Sequence, residues 1–249
     1  MIDVKTESGI AILIIRHGKA NALDIELCEE LARSFAELRS ARAVVMTGQG
    51  RIFSAGVDLL RVSAGGAAYV REFLPALRRL YDAVFFHDKP VVAAINGHAV
   101  AGGCVLACCA DRRIMMRGVG RIGVTELLVG VPFPSLAFEI VRSAVPAHLL
   151  PGFVFGGATY ESDEALRLGW VDTLVDADTL MQEALAAAEQ LAKLSAPAFA
   201  QSKKQLRQPV VERIAQSGAA TDKIVTDIWA APETVGYIRD YAARTLKKS

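Results

Sequence analysis

Two short stretches of this 249-residue chain hold residues that could do chemistry. The first, "RIFSAGVDL" (residues 51–59), carries small side chains up to Gly56, then Val57 and Asp58. The second, "INGHAVAGGCVL" (residues 95–106), passes through a turn to Gly102 and Gly103. Each reads as a strand leading into a helix, so free backbone N–H groups stand at the helix start, beside residues too small to block approach. Such a terminus carries a partial positive charge of roughly half an elementary charge. Two of them converging on one oxygen would form an oxyanion hole. Taken singly, either glycine also fits plain close packing of a buried helix. Neither stretch sets a GxGxxG pattern between strand and helix, so a dinucleotide site is not supported.

The elements that must position these loops follow from periodicity and turn chemistry. "DVKTE" and "IAILIIR" read as strands joined by a turn at Ser8–Gly9. A helix follows from about Asp24, its N-cap, with Leu27, Leu31, Phe35 and Leu38 on one face. "AVVMTG" is a buried strand, and a helix over residues 67–86 is expected to bend at Pro75. "PVVAAING" and "RRIMMRG" are further strands, with the helix opened by Gly102 between them. This alternation argues for an α/β fold with a mostly parallel sheet. Beyond it come a short helix over residues 164–168, with Ser162 as N-cap and Gly169 as stop, and a short strand in "WVDTLV". A helix after Asp178 carries its apolar face on Leu180, Met181, Ala184, Leu185, Ala188 and Leu191. From residue 195 onward two or three helices are expected, broken near Pro209 and Pro232. The division is thus a core over residues 1–194 and a helical region over 195–249.

Composition narrows the function classes. The chain is 52% hydrophobic and 22% charged, with a net charge of +1, which favours neither nucleic acid nor an anionic membrane surface as partner. Cys28, Cys104, Cys108 and Cys109 form no CxxC pair and no disulfide-like spacing, and no histidine is suitably spaced for zinc. They read as reduced, buried, small hydrophobes of a cytoplasmic protein, with no metal expected. The apolar run over residues 91–110 is interrupted by Asn96 and Gly97, turn chemistry that argues against a membrane span. The amino terminus lacks the basic and apolar regions of a secretory signal.

The two glycine loops, in this order and together with "RHGKANALD", "RIGVTELLVGVP" and "YESDEALRLGWVDTLV", resemble the crotonase superfamily of enoyl-CoA hydratases and isomerases. The likeness covers most of residues 2–205. It implies a spiral of ββα units with a C-terminal helical region that drives assembly into a homotrimer or a dimer of trimers and forms part of the coenzyme A pocket. It implies an acyl-CoA substrate and no cofactor beyond the coenzyme A of the thioester itself. The thioester carbonyl would sit between the backbone N–H groups of Val57 and Gly102. Coenzyme A contacts would come from Lys19, Ala20 and Ala22, and from Ser54, Ala55, Gly56, Asp58 and Leu59, with Lys19 or Arg16 meeting a phosphate. His98, Val100, Gly103, Val105, Val129 and Gly130 complete the implied substrate pocket. His98 also fits a local hydrogen-bonding role, and Asp58 a plain helix cap.

The carboxylates separate the reactions within that family. Hydration of an enoyl thioester, by the resemblance, uses two glutamates to hold a water. One of the two positions is Val105 here, which binds no water; the other is Glu126. A single carboxylate suffices to move a proton from C2 to C4 of a 3-enoyl thioester. The resemblance is therefore closer to the isomerases, with Glu126 as base, although a helix-start glutamate of purely structural role fits the same position. Burial among Leu127, Leu128 and Val129 is expected to raise its pKa. The segment "VPFPSLAFE", with Pro132, Phe133 and Pro134, implies a more apolar pocket floor than in hydratases, and Glu139 is a secondary candidate acid. The alternatives are a hydratase or other crotonase-type lyase, hydrolase or decarboxylase, and, of another class, a catalytically inactive acyl-CoA-binding protein.

Overall fold

The computed structural model describes residues 1–245. Strands β1 (Ile2–Glu7) and β2 (Ile10–Ile15) form an antiparallel hairpin, followed by helix α1 (Ile25–Glu37). Ser8 and Gly9 both take positive φ in the connecting turn, the geometry that matches strand twist in a tight hairpin. Asp24 caps α1 by accepting the Leu27 N–H. Three strand–strand–helix units come next: β3 (Ala43–Gly48), β4 (Ile52–Ser54) and α2 (Leu59–Phe85); β5 (Val91–Ile95), β6 (His98–Val100) and α3 (Gly102–Cys108); then β7 (Arg112–Met116), β8 (Ile122–Gly123) and the short α4 (Glu126–Val129). Helices α5 (Ser135–Ala144), α6 (Leu150–Gly156) and α7 (Ser162–Arg167) lead to β9 (Thr173–Val175), and α8 (Leu180–Ala192), α9 (Ala196–Ala230) and α10 (Pro232–Thr245) close the chain.

The first strands of these units, β3, β5 and β7, join β1, β2 and β9 in a six-stranded sheet in the order β1-β2-β3-β5-β7-β9, parallel except for β1. Alternate residues divide its two faces. Ala43, Val45, Val92 and Ala94 pack on Leu180, Ala184 and Ala188 of α8, while Val44, Met46, Val91, Ala93 and Ile95 face the main core. Both faces are covered, so β3 and β5 are buried at every residue. The second strands form a separate small parallel sheet, β4-β6-β8. Asn96 laces the corners between the sheets, accepting from the Gly48 N–H and donating to the Gly50 carbonyl.

Several local expectations change. The bend in α2 lies at Gly66 (φ 56°, ψ −145°), a conformation open to glycine, while Pro75 sits inside the helix. Ser162 is the first helical residue of α7 and its hydroxyl accepts from the Gly118 N–H, so it ties the β7–β8 connection and caps nothing. Helix α9 runs through Pro209 unbroken, and the break falls only at Ala231–Pro232. Ion pairs from Lys203 and Arg207 to Asp111 on one side of Pro209, and from Arg213 to Glu139 on the other, pin that helix to the core. Among the described residues no helix is long and apolar enough to cross a membrane, and all four cysteines are free and buried. Residues 246–249 of the expected C-terminal region lie outside the described residues.

Candidate active site

The small sheet positions the chemistry. The chain leaves β4 at Ser54, β6 at Val100 and β8 at Gly123. Within three residues of each exit stand Val57, Gly102 and Glu126, and all three line one cavity of about 680 Å³.

The first exit is fixed by backbone pairing. Leu23 donates to the Gly56 carbonyl and Asp58 donates to the Leu23 carbonyl, leaving the Val57 N–H between them with no protein acceptor among the described residues. Gly56 has φ +86°, and a Cβ there would stand 2.6 Å from the Val100 carbonyl oxygen and 3.1 Å from the Gly102 nitrogen. The two loops therefore touch, and only glycine allows it. Asp58 caps α2, accepting from the N–H groups of Leu60 and Arg61.

At the second exit Ala101 holds φ 50° and ψ −125°, a sparsely populated conformation that persists only where its surroundings impose it. Its N–H donates to Gly123 and its carbonyl accepts from Cys104 and Val105. Gly102 follows as the first residue of α3, so its N–H precedes the helical ladder and has no protein acceptor among the described residues. The Gly102 carbonyl accepts a 3.0 Å hydrogen bond from the buried Tyr81 hydroxyl.

Glu126 stands at the third exit. It is 8% exposed, and its Oε2 is buried with no hydrogen-bond partner among the described residues. Burial pushes its carboxyl up to about 7, against the opposing pull of the backbone amides of residues 125 and 126. Of the three apolar neighbours expected around it, Val129 is buried, whereas Leu127 and Leu128 are 40% and 46% exposed. Leu77, Val105, Val129 and Val131 are among the apolar residues that line the same cavity. A carboxylate with a pKa near neutrality, facing free backbone donors across a cavity, can accept and return a proton while a developing oxyanion is held.

Of the residues anticipated from the sequence, Lys19, Ala20, Ala22, Ala55, Asp58, Leu59, His98, Val100, Val105 and Val129 line the cavity with Val57, Gly102 and Glu126. His98 thus stands at the cavity, the first of the two placements the sequence left open. Ser54, Gly56, Gly103 and Gly130 are not lining residues. Ser54 donates to the Asn21 carbonyl and accepts from Gly56. A Cβ on Gly103 would fall 2.3 Å from the Ser54 carbonyl oxygen, so this glycine seats α3 on β4. Gly130 ends α4 in the left-handed conformation, beneath the Tyr237 ring. Glu139 is buried beside Arg213 at 2.6 Å and is not among the residues lining this cavity. Arg16 pairs with Asp3 instead. Phe133 packs on Phe138, and Pro134 and Ala137 reach the cavity.

Sequence reasoning missed Leu77, Tyr81, Trp229, Tyr241 and Thr245 as lining residues. Trp229 is held by an indole N–H to the Pro132 carbonyl at 2.9 Å. Tyr81 had one local signal: a hydroxyl inside the apolar i, i+4, i+8 stripe of Leu77, Tyr81 and Phe85.

The family profile for enoyl-CoA hydratase/isomerase matches residues 5–234. The "Putative enoyl-CoA hydratase" of Thermus thermophilus is 35% identical over 198 residues, 76% of this chain and 78% of that protein. Mouse mitochondrial enoyl-CoA delta isomerase 1 is 29% identical over 74% of this chain and 65% of its own length. The crystal structure of human mitochondrial delta3-delta2-enoyl-CoA isomerase superposes with a TM-score of 0.94 at 24% identity, covering 100% of this chain and 99% of that one. An enoyl-CoA hydratase/isomerase family protein from Pseudomonas syringae superposes at 0.83, with 25% identity, covering 90% of this chain and 97% of that one. The fold and the site define an enzyme of the crotonase type. The chain belongs to the enoyl-CoA hydratase/isomerase family.

Proposed function

We propose that this enzyme moves the double bond of a 3-enoyl-CoA to the 2-enoyl position, with Glu126 as the single proton carrier. The observation that carries the reading is the Glu126 carboxyl, its Oε2 without a partner among the described residues and its pKa raised to about 7 by burial, in a cavity where Val105 stands at the other family carboxylate position. Glu126 removes a proton from C2, and the electrons pass to the thioester oxygen. The N–H groups of Val57 and Gly102 hold the resulting dienolate. The same carboxyl then delivers its proton to C4, so no water is consumed and no cofactor is called for. Each backbone donor of this kind contributes about 3–4 kcal/mol to transition-state stabilisation.

Lys19, Ala20 and Ala22, with Ala55, Asp58 and Leu59, are assigned to the coenzyme A portion. The apolar wall from Leu77 to Trp229 is assigned to the acyl chain. Residues 195–249 are read as an assembly region of a cytoplasmic homotrimer or dimer of trimers. That reading is supported by exposed apolar side chains on α9 such as Leu206 and Ile224, at 80% and 60%.

The test is conversion of a 3-enoyl-CoA to its 2-enoyl isomer, compared with Glu126→Gln. Turnover by the wild type and its loss in the variant support the reading. No product from the wild type, or full rate in the variant, overturns it. Relatives named as hydratases favour hydration as the second reading. Oxygen from ¹⁸O-labelled water in a 3-hydroxyacyl product would establish it, whereas tight acyl-CoA binding with no turnover of any acyl-CoA would indicate a binding protein.

A further inference from the structure

The Gly102 N–H belongs to the Ala101–Gly102 peptide, between an alanine at φ 50° and a glycine with no Cβ to limit its dihedrals. Backbone bonds restrain Ala101 on both sides. The capping position of α3 offers no side-chain hydrogen bond. Among the described residues, the one side-chain hydrogen bond to the segment 101–103 comes from Tyr81. Its ring is 1% exposed, and its hydroxyl lies 3.1 Å from where a Gly102 Cβ would stand. Tyr81 belongs to α2, the helix that begins immediately after Val57 and is capped by Asp58. One helix therefore follows the first donor at its start and touches the second donor's residue near its end.

We propose that Tyr81 is a positioning residue of the oxyanion site: its hydroxyl, bonded to the Gly102 carbonyl, holds the Gly102–Gly103 peptide, and through the Gly102 dihedrals it sets the adjoining Ala101–Gly102 peptide that presents the Gly102 N–H beside the Val57 N–H. The proposal rests on the oxyanion reading above and adds a residue to it. Tyr81 donates its proton to a peptide carbonyl, so it takes no part in proton transfer to substrate. The bond is buried and neutral, a kind whose net worth corresponds to a factor of about three to ten in an equilibrium or rate.

The experiment uses the full-length enzyme and Tyr81→Phe, which keeps the ring and removes the donor. Two readouts are taken: kcat and KM for a 3-enoyl-CoA, and the infrared carbonyl stretch of a bound ¹³C-carbonyl-labelled 2-enoyl-CoA. The expected result is a three- to tenfold fall in kcat with KM within twofold. The pH at half-maximal kcat stays unchanged, and the bound carbonyl band moves back toward its frequency in free thioester. A loss lying wholly in KM would make Tyr81 a substrate contact and overturn the proposal. An unchanged kcat with an unchanged band overturns it as well. Should Tyr81→Phe fold poorly, 3-fluorotyrosine at position 81 keeps the shape with a stronger donor and is expected to shift the band further from the free value; no shift refutes the proposal. A wild type that binds the thioester with a shifted carbonyl but turns over no 3-enoyl-CoA fails the isomerase reading alone, and the band in Tyr81→Phe still decides the positioning role. An unshifted wild-type band fails the oxyanion reading and this proposal together.

Discussion

Glu126→Gln tests the electrostatics of the site independently of any substrate. Glutamine has the shape of the protonated acid and does not titrate. Below a pH of about 4.5, the ordinary glutamate value, the wild-type carboxyl is protonated in both folded and unfolded chains, so wild type and variant are expected to match in stability. Between about 4.5 and 7 only the unfolded chain ionises at this residue, because burial holds the folded carboxyl protonated up to about 7. The unfolded state then binds fewer protons than the native state, and stability falls as pH rises. The shift of about 2.5 units, at about 1.4 kcal/mol each, makes the loss about 3 kcal/mol once the pH passes 7. Glu126→Gln escapes that loss. Its advantage should grow from near zero at pH 4.5 to about 3 kcal/mol at pH 8, about 6–12 °C in Tm for a chain of this size. The assay is denaturant or thermal unfolding of both proteins across that range at one protein concentration, because the stability of an assembled protein depends on concentration. All other titrating groups cancel in the difference. A pH-independent difference, or a variant less stable than wild type at pH 8, refutes the assignment of Glu126 as a desolvated acid. The same protein should lose isomerisation by a factor of about 10² to 10⁴, and wild-type kcat should rise with pH through about 7 as the base form appears.

Other substitutions separate backbone from side-chain effects. Gly56→Ala places a Cβ 2.6 Å from the Val100 oxygen at φ +86°, and should cost more than about 1 kcal/mol in unfolding stability with a kcat loss of at least tenfold. Val57→Ala leaves the donor N–H in place, so steady-state kinetics should show kcat within about threefold of wild type. Asp111→Ala leaves Lys203 and Arg207 buried without their partner and should destabilise by about 3–5 kcal/mol in denaturant unfolding.

What the sequence revealed and what it hid have separate physical causes. The long strands and α1 were legible because each buries a periodic face: Leu27, Leu31 and Phe35 are all buried as their spacing predicts. The meeting of Val57, Gly102 and Glu126 at one cavity was legible through local motifs. The bend at Gly66 and the continuity of α9 were not, because proline propensity is a local preference. Pro209 keeps its helix through Asp111, 98 residues before it, and through Glu139. Tyr81 lies 21 positions from Gly102, and Trp229 reaches the same cavity from the far end of α9. No periodicity along the chain encodes such meetings. Gly103 and Gly130 were assigned to the pocket although they serve packing and helix termination, since a glycine's type alone does not say which close approach it permits.

The small sheet explains why three distant segments make one site. β4, β6 and β8 are only three, three and two residues long, too short to show alternation. Yet they are parallel neighbours, so their exits lie side by side at about 4.8 Å spacing. Adjacent exits from β4 and β6 bring Val57 and Gly102 to one cavity, with Gly56 packed against the Gly102 nitrogen. The exit from β8 sets Glu126 one strand further along the same sheet. On the proposed reading, that order of strands would be the order of oxyanion donors and base along the substrate. A different acid at the β8 exit, or a second one at Val105 after β6, would change the reaction without changing the fold.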